Sequence, residues 1–301
     1  MNLLITGAMG HIGTYLIKNY KKLKNFKKII LIDNFLNNKQ EFLFNSKLDK
    51  KFIFLYRDLS EKNALSKLPK INYCLHLASI TNAEESVNNR KKIFSNNLEC
   101  FKNVLNFCIK KKVKLIHLST TSLYGISGKL VDEKSIVIPQ SPYAEIKLKE
   151  EKALKRFKKK INFVTLRFGT IAGVSPNMRF HTAVNKFCFN AAMEKKIPVW
   201  KTALNQYRPY LTLSDSLKAI NFVIKEEIFD NEIYNILSNN LTVNYIIKKI
   251  RKYKKIKIKM VSSKIMNKLS YKVSTKKIKM MGLHLGADFE KEIKQTLKLF
   301  N

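Results

Sequence analysis

Short apolar runs alternate with longer amphipathic segments through the first half of the chain. The runs are too short to be helices, and the segments between them are long enough to return the chain to a parallel neighbour. The pattern predicts strands at residues 3–6, 29–32, 52–56, 73–77, 115–119 and 163–167. It predicts helices at residues 12–22, 60–67, 91–111 and 143–157. This alternation is typical of an α/β fold with a doubly wound parallel sheet of the Rossmann type.

The rhythm changes after residue 170. Helical patterns occur at residues 182–193, 214–225 and 289–299, and strand patterns at 210–213 and 233–236. Repeats, linkers and low-complexity tails are absent from the sequence. We therefore expect a first domain over residues 1–170 with a return segment near 210–236, and a smaller, interleaved C-terminal lobe over residues 171–301.

The formal net charge of +36 comes mainly from lysine, since arginine supplies only seven of the 58 basic residues. Proteins that read bases or phosphates rely on the bidentate guanidinium of arginine. A solvated basic surface is therefore favoured over a specific nucleic-acid site. The four cysteines and five histidines form no metal-binding pattern, so we expect no metal. Without a signal-peptide pattern or an apolar run of about 18 residues, we expect a cytoplasmic protein with no membrane partner.

A glycine-rich turn follows the first predicted strand. It reads Thr6-Gly7-Ala8-Met9-Gly10-His11-Ile12-Gly13 and opens a predicted helix. Such a turn lets the backbone approach a pyrophosphate, which then faces the helix N-terminus. Asp33 ends the second predicted strand, 20 residues beyond Gly13. A carboxylate there accepts the ribose hydroxyls and repels a 2′-phosphate, so the combination predicts a site for NAD in preference to NADP.

Further motifs occur in order along the chain. A Ser/Thr-rich segment containing Thr120 precedes a Tyr-x-x-x-Lys pair, Tyr143 and Lys147, and the sequence Arg208-Pro209-Tyr210-Leu211 lies beyond them. Over nearly the whole chain these motifs resemble the extended short-chain dehydrogenase/reductase family. The likeness is to its NAD-dependent nucleotide-sugar epimerases and dehydratases, with UDP-glucose 4-epimerase among them.

The resemblance implies that Thr120, Tyr143 and Lys147 are catalytic. Tyr143 and Lys147 are four residues apart and share one face of a helix. An ammonium beside a phenol lowers the pKa of the phenol, because it favours the phenolate. Tyr143 is then suited to act as a base near neutral pH. Thr120, at the end of the fifth predicted strand, would hydrogen-bond the same substrate hydroxyl.

The resemblance also implies binding residues and a homodimer. The NAD-binding residues would be Gly7, Met9, Gly10, His11, Ile12, Gly13, Asp33, Asn34, Asp58, Leu59, Leu77, Ala78, Ser79, Asn97, Tyr143 and Lys147. The substrate-binding residues would be Thr81, Thr121, Thr170, Arg179, His181 and Arg208, with Arg208 on the substrate diphosphate. NAD would lie in the first domain and the substrate mainly in the second lobe. The dimer would form through the helices at 91–111 and 143–157. His76 and His117 lie at strand ends, and we expect both to be buried histidines of the core.

The expected reaction is epimerisation at C4 of a nucleotide-sugar through a transient 4-keto intermediate. One alternative is a nucleotide-sugar 4-dehydrogenase or 4-keto reductase that exchanges its cofactor at each turnover. Another is a regulatory or nucleic-acid-binding module in which NAD is a structural ligand. A 4,6-dehydratase is not expected, because Thr121 and Ser122 follow Thr120 where dehydratases of the family carry an Asp-Glu pair. The chain departs from the family at Arg167-Phe168-Gly169-Thr170, where many members carry an asparagine that contacts the substrate.

Overall fold

The apolar runs of the first half form one parallel sheet. The computed structural model describes residues 1–36, 40–44, 48–81, 90–125, 130–201, 203–261 and 270–300. The strands in this part of the chain are β1 (Asn2–Thr6), β2 (Lys28–Asp33), β3 (Phe52–Tyr56), β4 (Tyr73–His76), β5 (Lys114–Thr120), β6 (Leu130–Val131), β7 (Phe163–Phe168), β8 (Thr170–Ala172), β9 (Ile197–Trp200), β10 (Tyr207–Thr212), β11 (Ile233–Ile236), β12 (Asn239–Thr242), β13 (Ile258–Val261) and β14 (Lys272–Val273). Of these, seven form a sheet in the order β3-β2-β1-β4-β5-β7-β11, with every neighbouring pair parallel. The predicted doubly wound sheet is confirmed.

The strand order reverses between β1 and β4. The chain builds outward through β2 and β3 on one side, then through β5, β7 and β11 on the other. Thr6 and His76 are register partners at the carboxyl ends of β1 and β4. Doubly wound folds bind ligands in the crevice beyond such a reversal.

Helices cover both faces of this sheet. The described helices are α1 (His11–Lys18), α2 (Glu41–Phe44), α3 (Arg90–Lys111), α4 (Pro142–Phe157), α5 (Ala183–Ala192), α6 (Leu213–Lys225), α7 (Val243–Arg251), α8 (Lys276–Met280) and α9 (Phe289–Lys298). Successive strand residues point to opposite faces. Leu3 and Ile5 therefore join the core beneath α1 and α6, whereas Leu4 joins the core beneath α3 and α4. None of the described helices combines the length and the apolar character needed to cross a bilayer.

The helix predicted at residues 60–67 does not form. This segment makes successive turns, because Asn63 (φ 65°) and Lys67 (φ 54°) adopt the left-handed backbone conformation that a right-handed helix excludes. The Arg57 guanidinium donates hydrogen bonds to the carbonyls of Ala64 and Ser66, at 2.8 and 2.7 Å. A side chain thus satisfies backbone acceptors that the turns leave without helical partners.

The second lobe has its own core. Strand β10 joins β8 and β12 in one small sheet, and β9 pairs with β13 in another. Helices α5, α7 and α9 contribute the apolar side chains of this core, such as Phe187, Ile247 and Phe289. The chain returns to the large sheet through α6 and β11, which pack in the first core. The return segment is therefore shared: β10 lies in a small sheet and β11 in the large one.

Glu292 on α9 should make stability depend on pH. Burial, reinforced by the Asp215 carboxylate, raises the pKa of Glu292 to about 7. Its stabilising contribution is complete below the unfolded pKa near 4.5 and is lost as the pH rises through about 7. Glu292→Gln should therefore raise the free energy of unfolding at pH 8 by about 1–2 kcal/mol and leave it unchanged near pH 4.5. Urea unfolding across this pH range measures both values.

Glu290, on the same helix, provides a control of opposite sign. The hydrogen bond from Lys249 lowers the pKa of Glu290 to about 2. Glu290→Gln should lower stability near neutral pH, and this deficit should disappear on acidification. If both variants respond to pH in the same direction, the burial of Glu292 does not control the effect.

Candidate active site

The glycine turn between β1 and α1 is closely packed at two of its glycines. Gly7 has φ +64°, and a Cβ there would lie 2.5 Å from the backbone nitrogen of Ala78. A Cβ at Gly13 would lie 2.3 Å from the carbonyl oxygen of Ala8. At Gly10, by contrast, the nearest atom would be 3.1 Å away, within the turn itself. The turn is thus fixed on its inner side and leaves backbone accessible on its outer side, as a pyrophosphate requires.

A cavity of about 510 Å³ lies over this turn and the carboxyl ends of β1, β2 and β4. We call it the first cavity. Of the predicted NAD-binding residues, it contains Gly7, Met9, Gly10, His11, Asp33, Asn34, Leu59, Leu77, Ala78 and Ser79. Its walls also include residues that are not among the predicted site residues, such as Phe35, Leu36, Asn96, Met178 and Phe180.

Asp33 connects the turn to the end of β2. One carboxylate oxygen accepts a hydrogen bond from the Met9 backbone N–H at 2.9 Å, and the other accepts one from Phe35 N–H at 2.9 Å. These contacts fix the carboxylate in the wall of the first cavity, where a ribose would lie beside it. The position fits NAD, because a 2′-phosphate there would meet a fixed negative charge.

Asp58 and Asn97 support the first cavity from behind, since neither is among its lining residues. Asp58 accepts a hydrogen bond from Asn34 Nδ2 at 2.9 Å. Although burial acts in the opposite direction, hydrogen bonds from Ser60 and Asn34 lower the pKa of Asp58. Asn97 holds the backbone of Ile80 at both its N–H and its carbonyl, at 2.9 and 3.0 Å. Both residues therefore shape the wall that the predicted cofactor would contact.

A second cavity, of about 590 Å³, adjoins the first. The two share eight lining residues, Gly7, Gly10, His11, Leu77, Ser79, Thr81, Arg179 and His181. The second cavity also contains Ile12, Gly13, Thr120, Tyr143, Lys147, Thr170 and Arg208. The Ser79 hydroxyl is buried and has no hydrogen-bond partner among the described residues, so a ligand at the junction would find an available polar group. The fold thus brings nearly all the predicted site residues to one groove.

Thr120 and Thr121 face in different directions. Thr120 ends β5, and its hydroxyl caps the 3₁₀ turn Thr121–Tyr124 by accepting from the Ser122 N–H at 3.2 Å. It therefore remains at the wall of the second cavity, 3.0 Å from the Ser122 hydroxyl. Thr121 is buried and donates to the carbonyl of Phe168 at 3.3 Å. The structure places Thr121 outside both cavities, unlike the other predicted substrate residues.

The start of α4 positions Tyr143 and Lys147. The Ser141 hydroxyl accepts from the Ala144 N–H at 3.3 Å, and Pro142 is the first helical residue, so Tyr143 lies in the first turn. Lys147 follows one turn later with its side chain only 3% exposed. Burial alone would lower the pKa of Lys147, but the Glu150 carboxylate, 2.8 Å from Nζ, outweighs burial and raises it.

Arg167 belongs to the core and not to the groove. Its guanidinium donates two hydrogen bonds to the Glu151 carboxylate, at 2.9 and 2.7 Å, and a third to the Tyr124 hydroxyl at 2.9 Å. Ser119 donates to the same carboxylate at 2.6 Å. In the segment Arg167-Phe168-Gly169-Thr170, the polar side chain that lines the second cavity is therefore that of Thr170.

The charges around the second cavity are positive. Its described lining residues include Lys147, Arg179, Lys186 and Arg208, but no aspartate or glutamate. Burial lowers the pKa of Arg179, an effect that the nearby phenol of Tyr143 partly offsets. Anionic ligands would therefore be attracted to the groove. In the described part of the chain, no group of three or more His, Cys, Asp or Glu side chains is placed to hold a metal ion.

The lining of the second cavity extends beyond the predicted residues, and three examples come from the second lobe. These are Lys186 on α5, Trp200 at the end of β9 and Tyr271. They follow no motif, and the packing of the second lobe brings them together. A retrospective signal exists only for Trp200, because it is the single tryptophan of the chain and directly follows an apolar run.

Known proteins resemble this chain in sequence and in fold. The uncharacterized UDP-glucose epimerase YtcB of Bacillus subtilis is 29% identical over 247 residues, which cover 78% of this chain and 76% of that protein. The UDP-glucose 4-epimerase of Thermus thermophilus, solved in complex with NAD, has a TM-score of 0.86 at 21% identity, covering 100% of this chain and 99% of its own. The UDP-glucuronic acid 4-epimerase of Bacillus cereus, solved with UDP-glucuronic acid and NAD, has a TM-score of 0.87 at 23% identity with the same coverage. At these identities the two structures establish the fold.

The family is established by the sequence itself. The model of the NAD dependent epimerase/dehydratase family matches residues 3–236, which include the glycine turn, Asp33 and the Tyr143–Lys147 pair. The geometry of the first cavity fits the cofactor that this family uses. The chain is therefore an enzyme of the NAD-dependent epimerase/dehydratase family.

Proposed function

We propose that the enzyme epimerises a nucleotide-sugar at C4 through a transient 4-keto sugar. The observation that carries this proposal is the composition of the second cavity. It contains Thr120, Tyr143 and Lys147 but no described acidic side chain. These residues can move a proton at one hydroxyl, and NAD, when bound, accepts hydride from the same carbon and returns it.

The roles of the residues follow from their chemistry. Tyr143 removes the proton of the C4 hydroxyl as its phenolate and later returns it. Lys147 stabilises that phenolate through its ammonium charge. Thr120 orients the C4 hydroxyl, because its own hydroxyl lies at the cavity wall at the end of β5. Removing and returning one proton at a single site leaves the protein unchanged after each turnover.

The second cavity does not favour 4,6-dehydration. Eliminating water needs one group to protonate the leaving hydroxyl and another to remove the C5 proton. Thr120 and Ser122 are neutral hydroxyls that cannot supply this acid and base near pH 7. The chemistry that remains is reversible oxidation and reduction at one carbon.

A strap of residues 177–181 supports retention of the cofactor, and so supports epimerisation over dehydrogenation. Asn177 Nδ2 donates to the Met9 carbonyl of the glycine turn at 2.7 Å. At the other side, Asn185 on α5 donates to the Arg179 carbonyl at 2.8 Å. Residues 178–181 of the strap line the first cavity, and these hydrogen bonds hold the strap at Asn177 and at Arg179. A dehydrogenase must release its cofactor at every turnover, whereas an epimerase regenerates it in place.

The second cavity suits a nucleoside-diphosphate sugar. Arg208 and Lys186 provide cations for a diphosphate. Trp200, Pro198 and Val261 form an apolar end, where a nucleobase could stack on the indole. The UDP-sugars named for the similar proteins make UDP the first nucleotide to test.

We also propose a cytoplasmic homodimer with no specific nucleic-acid partner. Helices α3 and α4 pack side by side and carry half-buried apolar side chains at Phe94, Leu98 and Leu148. All four cysteines are buried and free, which is typical of a reducing compartment. Four of the seven arginines make internal contacts or line the groove, namely Arg57, Arg167, Arg179 and Arg208. This leaves three exposed arginines, Arg90, Arg156 and Arg251, for contact with a nucleic acid.

A panel of nucleotide-sugars should identify the reaction. We expect one hexose to be converted into its C4 epimer without added NAD, as followed by proton NMR. A product that accumulates only with stoichiometric NAD would indicate a dehydrogenase, and a new C6 methyl signal would indicate a dehydratase.

Tyr143→Phe should lower turnover at least about 100-fold while cofactor and substrate still bind. A variant that keeps more than about a tenth of the activity is incompatible with Tyr143 as the base.

Asp33→Asn should weaken the discrimination between NAD and NADP. The amide keeps an oxygen acceptor for the glycine turn but removes the charge that repels a 2′-phosphate. We expect the affinity ratio to fall about tenfold or more, measured by calorimetry with both cofactors. Asp49→Asn removes an exposed carboxylate outside both cavities and should leave the ratio unchanged. Equal affinities of the wild-type enzyme for both cofactors would refute the assignment of Asp33.

Arg208→Ala should weaken binding of the nucleotide-sugar and leave NAD affinity unchanged. A charge-assisted contact to a diphosphate acts far from the reacting carbon, so KM should rise about tenfold or more with a smaller change in kcat. The fluorescence of Trp200, the single tryptophan, reports binding without turnover. Arg251→Ala removes an exposed arginine and serves as the matched control. An unchanged KM in the Arg208 variant would show that this residue does not contact the substrate.

A further inference from the structure

Glu150 is a buried carboxylate beside Lys147 that the proposed reaction does not use. Its side chain is 1% exposed. A single oxygen, Oε2, lies 2.8 Å from Lys147 Nζ and 2.8 Å from His117 Nε2. The Tyr143–Lys147 motif does not predict a role for Glu150. A glutamate three residues after a lysine on a lysine-rich helix has the pattern of an exposed ion pair.

His117 fixes the Glu150 carboxylate from β5. The carboxylate can only accept, since Lys147 and His117 lower the pKa of Glu150 to about 2 although burial acts to raise it. His117 therefore donates from Nε2, and its Nδ1 lies 3.3 Å from the Thr165 hydroxyl on β7. The imidazole also packs edge-on against Phe101, with ring centroids 5.5 Å apart. The ring is thus held on three sides and sets the position of the carboxylate.

We propose that Glu150, anchored by His117, is a positioning residue that keeps the Lys147 ammonium charged and directed at Tyr143. The proposal rests on the proposed function, because it concerns the base of that reaction. Glu150 itself touches neither cavity.

The surroundings leave Glu150 as the dominant counterion of Lys147. The titratable side chains that face this pair are Tyr143, His76, His117, Cys100 and Glu151, and Arg179 faces Tyr143. Burial lowers the pKa of His76 to about 3, so this imidazole is neutral in the working range. Burial raises the pKa of the Cys100 thiol to about 12, so the thiol is neutral as well. Glu151 carries a charge that Arg167 already balances.

Removing the Glu150 charge should therefore let burial act on Lys147. A buried lysine without a counterion loses its proton several pH units below the usual value. A neutral Lys147 no longer favours the Tyr143 phenolate, so the pKa of Tyr143 should rise. The Glu150 carboxylate thus partly shields the charge of the Lys147 ammonium, but it also keeps Lys147 protonated.

Glu150→Gln tests this inference with little change of shape. We expect the acid limb of the kcat profile to move up by about one pH unit or more, so that kcat at pH 7 falls about tenfold. The tyrosinate absorbance of Tyr143, taken as the difference between parent and Tyr143→Phe proteins, should titrate at a correspondingly higher pH in the variant. Nucleotide-sugar binding, measured by Trp200 fluorescence, should remain within about twofold.

The adjacent buried glutamate provides a matched control. Glu151→Gln should lower thermal stability, because it leaves Arg167 without its partner. The loss of this pair should also disturb the packing of α4 and lower kcat at every pH. The position of the acid limb and the titration of Tyr143 should nevertheless stay in place, because the Glu150 charge beside Lys147 remains. Glu150→Asp keeps the charge and should restore most of the profile. If the glutamine variant does not fold, His117→Leu removes the anchor of the carboxylate instead and should move the acid limb in the same direction.

An unmoved acid limb in Glu150→Gln, a shift to lower pH, or an equal shift in Glu151→Gln would overturn the inference. The tyrosinate titration needs no substrate. If it moves as expected while no nucleotide-sugar is converted, the role of Glu150 holds and the proposed reaction fails. If a nucleotide-sugar is epimerised while the titration stays fixed, the reaction holds and the role of Glu150 fails.

Discussion

The ion pair between Glu151 and Arg167 is the constraint on which the groove depends. It ties α4 to β7 across the buried face of the sheet, and the Ser119 hydroxyl extends the contact to β5. Taking two charges out of water is costly, so such a pair contributes little net stability but strongly disfavours any arrangement that separates it. The position of α4, and with it the distance from Tyr143 to the end of β5, follows from this pairing.

The features that could be predicted from the sequence are those that local chemistry determines. The glycine turn was readable because two of its glycines have neighbours that exclude a Cβ, and such turns have a fixed spacing. The strands were readable because buried parallel strands are continuous apolar runs. Both features can be recognised from a few consecutive residues of the sequence.

Other features depend on contacts between distant segments. Residues 60–67 have the composition of a helix, yet Asn63 and Lys67 take left-handed conformations that composition does not reveal. Asp58 and Asn97 carry the expected motifs but act from behind the wall, because the side chains beside them take the exposed positions. Trp200 lies at the groove only because the second lobe folds back over the carboxyl edge of the sheet. The assignment of individual residues to cofactor and substrate remains a prediction.

The absence of acidic side chains from the described lining of the second cavity also has a kinetic consequence. On a chain of net charge +36, a groove with several cations attracts dianions over a distance set by the ionic strength. Encounter with a nucleotide-sugar should therefore be fast in dilute buffer and slower in salt. In the proposed epimerisation the product keeps the charge of the substrate, so the product departs against the same field that accelerated the arrival of the substrate. Added salt should thus slow substrate binding and speed product release. If product release limits the rate, salt should lower the turnover at low substrate concentration and raise the turnover at saturating substrate.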